Sequence, residues 1–153
     1  MDVRDKREPS KSRVAAALVA VFAAAFLTGL GAQSALAGTA QSDTGYYTAG
    51  GTQFKNAAII ATAPGQAQAL TVTERSSGST PAGWAGSRGR LFTSAGALSC
   101  EGTTTYNTAG NQAHGASCSR STHGTWYSYG VSEAWNGSGY NPFYTFLSPN
   151  QNS

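Results

Sequence analysis

Two kinds of hydrophobic patterning divide the chain. Residues 14–32 form an almost unbroken apolar run, whereas the region after residue 37 alternates short apolar and polar stretches between Gly, Pro and Asn. In that second region Leu70 and Val72 alternate with Thr71 and Thr73, the period-two pattern of a half-buried strand. Residues 54–63 precede it across Pro64-Gly65, a turn signal, and the two segments predict a hairpin. Residues 76–87 read as a Ser/Gly/Pro loop holding Trp84. Residues 88–100 then carry Arg88 and Arg90 around Gly89, Leu91-Phe92, and a turn at Ser94-Ala95-Gly96. Residues 125–135 predict a strand with Tyr127, Tyr129 and Val131 on one face and Trp126, Ser128 and Ser132 on the other. Asn136-Gly137 favours a hairpin turn, and residues 140–147 pair back. The expectation is an all-β fold: one small antiparallel sandwich or compact barrel of six to eight strands.

The apolar run is preceded by a charged stretch and followed by Ala35-Leu36-Ala37, the small-residue pattern of a signal-peptide cleavage site. A run of about 20 apolar residues could also span a bilayer, but this one is rich in Ala and the site follows at once. The expected organisation is a signal peptide at 1–37, a flexible N-terminal arm at 38–53 and an all-β domain at 54–153. The product is then secreted, with no membrane attachment after cleavage.

Charge changes meaning once it is located. The formal net charge is +3, but Arg4, Lys6, Arg7, Lys11 and Arg13 against Asp2, Asp5 and Glu8 place +2 of it in the leader. The remainder, Lys55, Arg75, Arg88, Arg90 and Arg120 against Asp43, Glu74, Glu101 and Glu133, offers little counterion release on phosphate, so nucleic acid is not an expected partner.

After residue 37 only eight Leu, Ile and Val remain, beside fourteen aromatics, seventeen Gly and thirty-one Ser/Thr. A core short of aliphatics is expected to be built mainly from Phe, Tyr and Trp, including Trp126, Tyr127 and Tyr129. Cys100 and Cys118 read as one disulfide, as in exported proteins, expected to run across neighbouring strands.

Catalytic ingredients are scarce. His114 and His123 are the imidazoles of the exported part, Asp43 is its one aspartate, and no G-x-S-x-G occurs. Glu74, Glu101 and Glu133 could supply a glycosidase pair, although solvated strand-edge charge is the commoner role. His114, Cys118 and His123 suggest zinc only if the disulfide does not take the thiol. The expectation is no enzyme, no metal and no cofactor. Binding is the better prospect. Trp84, Trp135, Tyr140 and Tyr144 flank turns, with Arg88 and Arg90 nearby, as candidates for a protein or a sugar. Tyr46, Tyr47 and Thr48 in the arm could anchor it in a partner's cleft or on a partner's sheet edge.

The motifs Gly83-Trp84-Ala85-Gly86-Ser87-Arg88-Gly89-Arg90-Leu91-Phe92, Leu98-Ser99-Cys100, Trp126-Tyr127-Ser128-Tyr129-Gly130-Val131, Ala134-Trp135-Asn136-Gly137-Ser138-Gly139-Tyr140 and Ser148-Pro149-Asn150-Gln151 resemble small secreted β-proteins of Streptomyces and related actinobacteria. Within that group the chain is similar to the small adaptor subunit of umbrella toxin particles. The resemblance covers about the last seventy residues. It implies a non-catalytic linker between a repeat-containing toxin subunit and a lectin subunit, the β domain docking on the repeats and the arm entering a lectin cleft. Two alternatives stand beside it. One is a secreted carbohydrate- or cell-wall-binding module taking polysaccharide. The other is a small lactococcin-like bacteriocin, whose Gly-Thr-Trp occurs here only late, at Gly124-Thr125-Trp126.

Overall fold

The computed structural model describes residues 38–153 except 109, 111 and 116. The expected signal peptide, 1–37, lies outside the described residues.

The longest element is a hairpin of β3 (Thr52–Ala63) and β4 (Gln66–Arg75), closed at Ala63↔Gln66 around Pro64-Gly65. Gly65 has φ +69°, a left-handed value that Gly adopts without Cβ strain. Along the free side of β3 run β1 (Gly38–Gln41) and β2 (Gly45–Ala49). Along the free side of β4 run β9 (Gln112–His114) and β10 (Cys118–Arg120). Together they make one six-stranded antiparallel sheet.

Two four-stranded sheets make the second layer. In one, β14 (Gln151–Asn152), β11 (Thr125–Ser128), β6 (Arg90–Thr93) and β7 (Leu98–Glu101) lie side by side. In the other the order is β13 (Tyr140–Tyr144), β12 (Val131–Trp135), β5 (Ala85–Arg88) and β8 (Thr105–Tyr106). Only Gly89 separates β5 from β6, and only Tyr129-Gly130 separates β11 from β12. The two sheets are therefore halves of one bent layer, packed on the first as an all-β antiparallel sandwich. Among the described residues, the fourteen strands join end to end into eight rows, which reconciles them with the smaller number expected.

The region expected as a flexible arm is part of the first sheet. Gly50-Gly51, with φ of +53° and +72°, forms a two-residue turn that folds β2 back on β3. Tyr47 then puts its ring between the layers, stacked 3.9 Å from Phe143 and 5.7 Å from Phe54. Burial pushes the Tyr47 hydroxyl pKa well above its ordinary value, with Ser132 and Thr73 hydroxyls partly offsetting it.

The core also differs from expectation. Of the three aromatics assigned to it, Trp126 is buried with Ile60, Ala67, Ala69 and Leu91, while Tyr127 and Tyr129 face outward. A second cluster holds Phe54, Ala49, Ala85 and Ala134. Between the clusters lies a belt of hydroxyls, Thr71, Thr73, Ser87, Ser128 and Ser132, all fully buried. Small side chains let the layers approach closely enough for hydroxyls of one to reach groups of the other. Thr71 Oγ1 donates to Arg88 O (3.1 Å), Ser128 Oγ donates to Leu70 O (3.3 Å), and Thr73 Oγ1 lies 2.7 Å from both Ser87 Oγ and Ser132 Oγ. These bonds offset the desolvation that otherwise disfavours a buried hydroxyl.

Cys100 and Cys118 form the expected disulfide, with Cα atoms 5.9 Å apart. It does not cross neighbouring strands of one sheet. It ties β7, an edge of the bent layer, to β10, an edge of the first sheet. A disulfide is compatible with an oxidising, extracellular setting.

Candidate functional site

Alternation along each strand fixes which side chains leave the core. Leu91, Trp126, Ser87, Ser132 and Ala134 point inward. Their neighbours Arg88, Arg90, Phe92, Tyr127, Glu133 and Trp135 therefore lie on the outer face of the bent layer. The register adds to them, setting Tyr140 opposite Trp135, Tyr144 opposite Val131, and Tyr106 opposite Gly86.

At one end of this face Tyr140 packs 5.3 Å from Trp135, edge to face, and 4.8 Å from Tyr106. The Tyr140 hydroxyl donates to Gly83 O (2.7 Å), and the backbone N–H of Trp135 donates to Trp84 O (3.0 Å). The Tyr106 hydroxyl donates to Glu133 Oε2 (2.5 Å). A Cβ on Gly86 would stand 2.8 Å from the Tyr106 ring, so Gly there lets that ring lie flat on β5. Trp84, Tyr106 and Tyr140 are 36–42% exposed despite these contacts. The Tyr106 and Tyr140 rings are thus held in place while open to solvent, and Trp84 is positioned through its backbone.

At the bend, Arg88 Nε and Arg90 Nε lie 3.1 and 3.7 Å from the same Glu101 oxygen. The Arg90 guanidinium also lies over Phe92 (4.9 Å), Tyr129 (5.6 Å) and Tyr144 (6.0 Å). Tyr144 stacks on Tyr129 (5.6 Å) and Tyr127 on Phe92 (5.3 Å), carrying the aromatic strip along the layer. It ends at an open cleft of about 510 Å³ lined by Ser94, Ala95, Tyr127, Leu147, Pro149 and Asn150.

The structure brings together Trp84, Trp135 and Tyr140 at one end of the face and Arg88 with Arg90 at its bend. Tyr46, Tyr47 and Thr48 sit apart, on β2 of the other sheet. Tyr144, also expected to flank a turn, joins the face at the bend, whereas sequence reasoning missed Tyr106, Glu101 and Glu133 as its members. Register was the missing information, since β8, which carries Tyr106, is only two residues long. Glu74 pairs with Lys55 on the outer side of the first sheet, whereas Glu101 and Glu133 belong to the bent layer. Layers of a sandwich stand about 10 Å apart, so Glu74 cannot share a scissile bond with either. The disulfide takes the Cys118 thiol of the considered zinc set, His123 Nδ1 lies 3.0 Å from Ser153 O, and the His114 side chain lies outside the described residues.

Burial and the neighbouring Glu133 carboxylate push the Tyr106 pKa up to about 12. The neutral phenol is therefore favoured more in the folded than in the unfolded chain, whose Tyr titrates near its ordinary value of about 10. Its stabilisation is complete below pH of about 10 and is lost as pH rises toward 12. Thermal melts over that window are expected to fall less steeply for Tyr106→Phe than for the native chain. Identical slopes would show that Tyr106 does not contribute to the alkaline limb. Compared with known proteins, the chain matches no family model, no curated protein and no solved structure.

Proposed function

We propose that the chain is a secreted, non-catalytic adaptor that links subunits of an extracellular antibacterial toxin complex by protein–protein contact, using the outer face of the bent layer. The observation that carries this reading is the exposed set of Trp84, Tyr106, Tyr140 and Tyr144 gathered on one face beside Arg88 and Arg90. Trp, Tyr and Arg dominate the binding energy of protein interfaces. The Tyr106 and Tyr140 rings, already held by hydroxyl hydrogen bonds, lose little conformational freedom when a partner covers them. The motifs that resemble the umbrella-particle adaptor are largely the strands β5, β6, β11 and β12 that build this face. The disulfide, the Ala35-Leu36-Ala37 motif and the near-neutral exported part support secretion and a protein partner such as a toxin or lectin subunit over nucleic acid. Because residues 38–41 and 45–49 are paired strands, the contact is assigned to the face and not to a free arm entering a cleft.

One observation favours a second reading, a polysaccharide-binding module. Tyr106, Trp135 and Tyr140 form a compact aromatic corner beside the Glu133 carboxylate, which suits stacking on a sugar with a polar contact at its edge. Affinity purification of the tagged full chain from culture supernatant, followed by mass spectrometry, separates the two. The adaptor predicts stable recovery of larger secreted proteins, lost in Trp84→Ala/Tyr140→Ala. A chain recovered alone that sediments with chitin, cellulose or peptidoglycan contradicts the adaptor and supports the module.

A further inference from the structure

An adaptor needs two surfaces, and the edge of the other sheet has the properties of one. The Gly50-Gly51 turn closes on Ala49↔Thr52. Counting back from a two-residue hairpin, the pairs that exchange both backbone bonds are those of Ala49, Tyr47 and Gly45. The peptide groups of Tyr46 and Thr48 therefore point away from β3. In agreement, Gln53, opposite Thr48, gives its carbonyl to the Ser76 N–H (2.9 Å), on the β4 side.

Sheet edges are normally guarded by Pro, charge, a bulge or brevity. β13 contains Pro142, β8 and β14 have two residues each, and β7 and β10 are joined by the disulfide. β2, Gly45-Tyr46-Tyr47-Thr48-Ala49, has neither Pro nor charge.

A second observation lies beside that edge. Asn56, opposite Gly45, is 3% exposed, and neither its Oδ1 nor its Nδ2 has a hydrogen-bond partner. A Cβ on Gly45 would stand 2.5 Å from Asn56 Oδ1 and 3.9 Å from the Phe146 ring. The amide thus leans across the bare Gly45 toward the edge, beneath Phe146, which is 56% exposed. Tyr46, 65% exposed, flanks the same edge on the opposite face. An amide has two donors and acceptor capacity to satisfy, and leaving them unmet under cover is unfavourable.

We propose that β2 is a docking edge for an extended, uncharged segment of a partner protein, which adds to the sheet as a further strand. Outward peptide groups at Tyr46 and Thr48 call for peptide groups in return. The Asn56 amide calls for an Asn, Gln, Ser or Thr side chain facing Gly45. Tyr46 and Phe146 hold the added strand from its two faces. This rests on the adaptor reading only in supplying its second surface, and its test is independent of the first.

Short random peptides displayed on phage would be selected on the full, disulfide-bonded protein, and one enriched peptide synthesised. The enriched set is expected to be uncharged, with an amide or hydroxyl residue at an alternating position. Hydrogen exchange with the peptide bound is expected to slow at the amides of Tyr46 and Thr48. Thr48→Pro removes one outward N–H without touching the bonds to β3, and is expected to weaken binding about tenfold. Tyr46→Lys/Thr48→Lys, changing two exposed side chains, should do the same if the Pro variant misfolds, while Leu98→Ser on β7 leaves binding unchanged. Failure to enrich any peptide, unchanged exchange at Tyr46 and Thr48, or full binding by the folded variants would overturn the docking edge. Loss of co-purification through Trp84 and Tyr140 would bear on the adaptor face alone.

Discussion

Gly130→Val is expected to destabilise the fold strongly, with a large shift of the unfolding midpoint. Even a single Cβ at Gly130 would overlap the Thr71 hydroxyl, with the Thr71 Cβ only 2.7 Å away. Thr71 cannot retreat: it is β-branched, fully buried, and donates to Arg88 O across the layers. Nor can the backbone swing out freely, because Gly130 N–H donates to Thr145 Oγ1 (3.0 Å) and its carbonyl accepts from Thr145 N–H (3.2 Å). Overpacking a rigid core commonly costs 1–3 kcal/mol, and with a branched side chain at a closed point the loss should reach about 3 kcal/mol or more. That is a large share of the roughly 5–15 kcal/mol that stabilises a typical domain. Urea denaturation monitored by tryptophan fluorescence reads it. Adding Thr71→Gly should recover part of the loss, since the two residues contest one space. A Gly130→Val chain as stable as the native one would mean that the layers are further apart than described.

Removing the disulfide is the second large effect. Cys100→Ala/Cys118→Ala is expected to cost about 3 kcal/mol, from the entropy regained by the unfolded chain when an 18-residue interval is no longer closed. For a domain of this size that corresponds to a fall in Tm of roughly 10 °C. The link matters because it joins edges of two different layers. Beside it the Arg120 guanidinium donates to Ser99 O (2.5 Å), an exposed bond that gives less support alone. Melting the native chain with and without reductant should reproduce the difference. Equal Tm values would assign the stability to the hydroxyl belt and the apolar clusters.

Hairpins and turns were the most legible parts of the chain, because their signals are local. Pro64-Gly65 marks the end of β3, Asn136-Gly137 marks the β12–β13 turn, and the alternation through 125–135 separates the two faces correctly. Which face turns inward was not legible. Ranking Tyr127 and Tyr129 above Ser128 and Ser132 for the core assumes layers spaced by large side chains. Here Ala, Ser and Thr bring the layers close, carbonyls across the gap accept from the hydroxyls, and the large rings are displaced outward. The same inversion created the candidate face. Trp84, Trp135 and Tyr140 were identifiable from their places beside turns, but their neighbour Tyr106 required the pairing of β8 with β5. The apparent arm failed for a local reason: Gly50-Gly51 is a hairpin turn, and Tyr47 has two aromatic partners far along the chain or across the turn.

Whether the outer face of the bent layer holds a partner, as proposed, is read by hydroxyl-radical footprinting of the chain, free and in its purified complex, because aromatic side chains report their own exposure. Trp84, Tyr106, Tyr140 and Tyr144 are expected to react when free and to be protected together in the complex if that face holds the partner. A complex in which all four react as readily as in the free chain would contradict it.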